Sequence, residues 1–162
     1  MVTIPKQTSQ PESVGERELL LPKVLKDEKA CADLLAFARG EYSAENIEFY
    51  LEVDAFMARW DTHPSEKERS ADFDFMVEEF LTEGANRQVC IGDERVKAVT
   101  GSGRISKDVF LTAQSIAKES MAHDIFPRFV ESDLGQQYML RIDLTRPLSH
   151  GATRSSIVGE HL

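Results

Sequence analysis

Apolar side chains recur at spacings of three and four through residues 43–60: Ile47, Tyr50, Val53, Met57 and Trp60. That period places them on one side of a helix, which a strand's period of two cannot do. Phe49 and Phe56 widen the stripe, so the helix is buried on more than one side and needs other helices around it. Ser43 stands where an N-cap would, and Glu45 and Asn46 follow at once in the first turn.

The same period runs through the rest of the chain. Val24 to Gly40 reads as one helix with Leu34, Leu35 and Phe37, and Gly40 as its stop. Another starts near Pro64-Ser65 and carries Phe73, Met76, Val77, Phe80 and Leu81 on one face. "GANRQVCIGD" is irregular. A short helix follows over 93–99, and "TGSG" breaks it. Ser106 is read as the cap of a helix with Val109, Ala113, Ile116, Ala117 and Met121. Asp124 is read as the cap of the next, whose first turn tolerates Pro127 because no N–H is needed there. A last short helix covers about 134–142. No strand pattern and no repeat is visible. The expected class is all-α, and the short connections suggest an antiparallel bundle. Residues 1–18 and 145–162 read as a flexible lead-in and tail around a domain at 19–144.

Charge and composition exclude several roles. The net charge is -9, the opposite of the basic face that nucleic-acid binding needs. The longest apolar run, Leu34 to Ala38, has five residues, whereas a membrane span needs about 20. Cys31 and Cys90 form no metal-ligand spacing, and a reducing, intracellular setting suits them. His63, His123, His150 and His161 show no zinc motif, so no metal is expected. "TGSGR" lacks the spacing of a phosphate loop, and Glu78-Glu79 reads as a solvated face. No nucleophile with a base is legible, so no catalytic residue and no cofactor is expected.

"EYSAENIEFYLEVDAF" is more specific. Glu41, Tyr42, Ser43, Glu45, Asn46, Ile47, Glu48, Phe49 and Tyr50 resemble the central signature of the regulator of G-protein signalling (RGS) domain. "MAHDIFPRFVES" resembles that family's closing motif through Asp124, Phe126, Arg128, Phe129 and Ser132, at the separation the family expects. "FLTEGANRQVCIGD" lies between them where the family has its middle contact loop. The resemblance covers about residues 20–142. It implies an all-α fold of about nine helices, with a four-helix bundle as one lobe and the terminal helices as the other.

The resemblance also implies a partner, the α subunit of a heterotrimeric G protein in its GTP or transition-state form. The implied contacts are Ser43, Glu45, Asn46, Val89, Cys90, Ser120, Asp124, Ile125 and Arg128. Gα supplies its own catalytic Arg in cis, so an activator need only hold the switch segments in their transition-state arrangement. One preorganised contact of that kind contributes about 2–4 kcal/mol. Asp124 and Arg128, four apart, would otherwise read as a simple exposed helix pair. Three positions depart from the family pattern. Cys90 stands where many active members carry Asn, Ile125 where a small hydroxyl residue is common, and Ser120 where an apolar one is usual. The expected role is therefore GTPase activation by a monomeric, cytoplasmic protein recruited to the inner face of the plasma membrane. The alternative is a scaffold module that binds Gα or another partner without strong activation.

Overall fold

Helices form wherever the apolar spacing requires a buried stripe, and the computed structural model describes them over residues 14–62 and 65–145. In order they are α1 (Val14–Lys26), α2 (Glu28–Gly40), α3 (Glu45–Trp60), α4 (Glu66–Met76), a π-helical segment (Val77–Leu81), α5 (Asp93–Thr100), α6 (Leu111–His123), α7 (Ile125–Glu131) and α8 (Asp133–Thr145). There is no strand among the described residues, which form an all-α fold of eight α-helices and one π turn. The tail expected over 145–162 starts inside α8, which runs to Thr145, and its remainder, His63, Pro64 and the first thirteen residues of the lead-in lie outside the described residues.

Two clusters make the core. One joins α1, α2, α7 and α8 through Leu21, Val24, Leu34, Phe126 and Phe129. The other joins α3, the π segment, α5 and α6 through Phe49, Phe56, Phe80, Val99 and Phe110. Helix α3 serves both, giving Ile47 to the first and Phe49 to the second. Helix α6 does the same with Met121 and Ala117. These two helices pack along each other more extensively than any other pair. Phe110 locks the second cluster: it stacks on Phe73 at 5.4 Å and meets Phe56 edge-on at 5.0 Å. Buried aromatic pairs of this kind add about 0.5–1.5 kcal/mol each beyond area burial. Gln114, the buried polar residue of α6, donates to the Tyr50 carbonyl at 3.0 Å and to Asp54 at 2.6 Å. Its amide is thereby satisfied inside the pair.

The structure corrects the expected elements at several points. Val24 to Gly40 is two helices, because Asp27 interrupts it. The Asp27 carboxylate accepts the Ala30 N–H at 2.8 Å and so starts a new helix instead of continuing the old one. Helix α1 begins at Val14, inside the stretch read as lead-in. Ser106 caps nothing: its hydroxyl donates to Asp108 at 2.7 Å, and α6 begins at Leu111. Ser65 forms a full capping box with Glu68 at the head of α4. Gly135 is required where α8 crosses the end of α7, since a Cβ there would meet the Phe129 carbonyl oxygen at 2.0 Å.

Asp27 also accepts Arg141 of α8 at 2.8 Å, so one carboxylate ties the first helices to the last. The Ala30 backbone hydrogen bond, helped by Arg141, holds its carboxyl below the usual aspartate range. A carboxyl with a depressed folded-state pKa stabilises above its unfolded value and loses that contribution as pH falls through the depressed one. Asp27→Ala therefore lowers the melting temperature at pH 7. The gap from the parent protein closes as pH falls below about 4; thermal melts from pH 7 to 2.5 check this.

Candidate functional site

The end of α2 sets up the polar end of the molecule. After Gly40 the chain reverses, with the Ser43 N–H donating to the Ala38 carbonyl at 3.0 Å. The left-handed residue of this turn is Tyr42, at φ 56°, and not Gly40. A non-glycine residue held there stores about 1–2 kcal/mol of strain. Its ring is 96% exposed. Tyr42 thus combines a strained backbone with a bare aromatic surface, next to the polar start of α3.

Helix α3 begins at Glu45 with Ala44 in the cap position, and no side chain caps it. Ser43 therefore sits one residue too early to be the N-cap expected from the sequence. Its hydroxyl is buried and has no hydrogen-bond partner. Glu45 and Asn46, both half-buried, occupy the first turn. A carboxylate at a helix N-terminus is favoured by the helix dipole. The Asn46 amide donates to the Ser120 hydroxyl near the end of α6, at 3.5 Å. This brings together two residues far apart in sequence.

Asp124 lies between α6 and α7. It occupies the cap position of α7 but makes no cap hydrogen bond. Its carboxylate accepts instead from Arg128 at 2.5 Å, and Arg128 also donates to Glu41 at 2.8 Å. The Asp124 and then the Glu41 hydrogen bonds raise the guanidinium pKa further above its usual range. Arg128 thus fixes the α6–α7 junction to the turn before α3. The exposed pair adds little folding energy, but it orients Asp124.

The middle loop follows the π segment. The Val89 N–H donates to the Phe80 carbonyl at 2.9 Å. Val89 and Ile91 are buried against Phe49 and Phe80, and Cys90 between them is exposed. The loop anchors itself by its apolar residues and presents the thiol. Val89 and Ile125 are both nearly inaccessible, at 2% and 3% exposure, so their side chains serve the core. The sequence reading left out Tyr42 as a surface residue and Glu48 as a partner of Arg39, which donates to it at 2.8 Å. Both lie inside the stretch that carried the family resemblance, and that was the available signal.

The chain matches the family model described as "Regulator of G protein signaling domain" over residues 21–138. It belongs to that family. It is 31% identical over 125 residues to "Regulator of G-protein signaling 1" of Xenopus laevis, covering 76% of this chain and 60% of the relative. It is 29% identical over 131 residues to the protein of the same name from Xenopus tropicalis, with the same two coverages. "Regulator of G-protein signaling rgs-7" of Caenorhabditis elegans is 26% identical over 126 residues, 15% of its length. The chain thus spans 60% of the frog relatives. Among the described residues, no helix is long and apolar enough to cross a membrane.

The position of Ser43 in this RGS domain has a direct consequence for stability. Removing a true cap hydroxyl costs about 1 kcal/mol. Removing a buried hydroxyl that lacks a partner relieves a desolvation cost instead. Ser43→Ala therefore leaves the melting temperature unchanged or higher, as calorimetry of the two proteins would show.

Proposed function

We propose that this RGS domain is a GTPase-activating protein for heterotrimeric G-protein α subunits and so terminates their signalling. Family membership and the relatives' names support a role in regulating G-protein signalling. The observation that carries the finer reading is the meeting of the start of α3 with the end of α6. Asn46 bonds Ser120 there, while Arg128 joins Asp124 to the turn that leads into α3. Polar groups fixed at helix ends suit a partner whose own residues do the chemistry. Gα positions its Arg and Gln around the nucleotide, and its switch segments need only be held. Glu45, Asn46, Cys90, Ser120, Asp124 and Arg128 supply the contact face in this reading, and Ser43, its hydroxyl buried, belongs to the turn beneath it. Tyr42 extends it, and Val89 and Ile125 brace it from the core. The domain acts as a monomer with no active site of its own, in the cytoplasm at the membrane's inner face, where Gα recruits it.

A face complementary to the transition state binds that state best. The domain should therefore prefer Gα–GDP–AlF4⁻ over Gα–GDP in calorimetric titration. Equal affinities would leave a plain binding module without activation.

Cys90 gives a second check. A thiol is a weak donor, whereas an amide both donates and accepts. A new hydrogen bond contributes about 0.5–1.5 kcal/mol, which is several-fold in rate. The side chain is exposed, so the amide needs no buried partner. Cys90→Asn should raise single-turnover GTP hydrolysis by Gα several-fold with an unchanged melting temperature. A stable variant with unchanged stimulation would remove this loop from the mechanism.

A further inference from the structure

We infer that Arg87 is a positioning residue that holds the middle loop in register with the first turn of α3. The inference rests on the reading of Cys90 and Asn46 as parts of one contact face. Four charges run across that end of the molecule. Arg39, in the last turn of α2, donates to Glu48 Oε1 through Nη2 at 2.8 Å and Nε at 3.1 Å. The other oxygen of Glu48, Oε2, lies 3.7 Å from an Arg87 guanidinium nitrogen. Arg87 donates on its far side to Glu79 of the π segment, at 2.9 and 3.1 Å. Its guanidinium also lies over the Phe80 ring, 4.6 Å from the centroid.

Each contact fixes a different degree of freedom. The Phe80 ring sets the height of the guanidinium above the core, and Glu79 sets its rotation. Glu48 then ties it to α3, one turn beyond Glu45. The Glu48 side chain is only 16% exposed, so its charge is partly desolvated and depends on the two arginines around it. Arg87 is three residues before Cys90, and the Val89 N–H closes the loop onto the carbonyl of Phe80, the residue whose ring the guanidinium covers. Among these contacts, Glu48 is the polar link from the loop to α3.

This arrangement is worth more to geometry than to folding. Arg39 keeps the covered Glu48 carboxylate paired when Arg87 is removed, and the partly exposed Arg87–Glu79 pair contributes little stability. A contact face, by contrast, loses much of its effect when its groups shift by about an ångström. Coupling Cys90 to Asn46 through Arg87 keeps the two segments at one spacing as the partner docks.

The test is Arg87→Met, which keeps an apolar stem over Phe80 and removes the charge, with Arg87→Lys beside it. Three measurements are made: Gα GTP hydrolysis in single turnover, thermal melting, and hydrogen exchange at the Val89 amide of the free protein. Arg87→Met should lower stimulation about two- to fivefold, the range of one such ion pair converted to rate. The melting temperature should barely move. Val89 exchange should quicken by a similar factor, and Arg87→Lys should fall between the two proteins. The gain from Cys90→Asn should vanish in the Arg87→Met background. A purely structural arginine would leave that gain intact, and so would overturn the inference. Unchanged Val89 exchange in the folded variant would also overturn it. If the unaltered protein stimulates no Gα, the proposed function fails, and Val89 exchange still decides the role of Arg87. The same holds if Cys90→Asn gains nothing. If Arg87→Met does not fold, exchange in Arg87→Lys decides.

Discussion

The packing of α3 along α6 is the constraint on which the rest of the structure depends. Each helix is buried on two sides and belongs to both hydrophobic clusters. Phe49 and Phe56 of α3 close around Phe110 at the head of α6, and Gln114 satisfies its amide on the α3 backbone. Neither cluster can shift without moving the helix pair that it shares with the other. The two clusters therefore have a fixed relation through the helices they share.

That shared pair also explains why the polar end is rigid. Asn46 sits one residue before Ile47, which is fully buried, and Ser120 one before Met121, which is nearly so. Each of these polar residues thus has its backbone held by a core neighbour on the same helix. Cys90 follows the same rule on a loop, between buried Val89 and Ile91. Buried neighbours of this kind fix the backbone that carries Asn46, Ser120 and Cys90, so that any interaction these residues make has less backbone ordering to offset.

Electrostatics finishes what packing begins. Arg128 joins Asp124 to Glu41, and Arg39, Glu48, Arg87 and Glu79 form a chain around the other side. Apart from the largely covered Glu48 carboxylate, these groups are partly solvated and their pairs are weak as stabilisers. Their value lies in direction, because a guanidinium presents donors in a fixed plane. At this end of the molecule, arginines stand where three segments have to be aligned.

The sequence by itself determined the helical class, most of the helices and the stretches that build the polar end. Apolar spacing is a local property, and the signature around Ser43 to Tyr50 is contiguous. The break at Asp27 was less legible, since a carboxylate can cap a new helix or simply face solvent, and only the available N–H groups decide. Ser43 looked like a cap because its residue type suits one, but the turn through left-handed Tyr42 moved the helix start to Glu45. Ser106 and Asp124 misled in the same way: each side chain found a nearer partner than a helix end. Which residues meet was settled only by tertiary structure. The Asn46–Ser120 and Glu48–Arg87 contacts join segments distant along the chain, and the burial of Val89 and Ile125 depends on what packs over them. Sequence spacing reports the neighbours of a residue along one helix, whereas a site assembled from three segments exists only once the cores beneath it have closed.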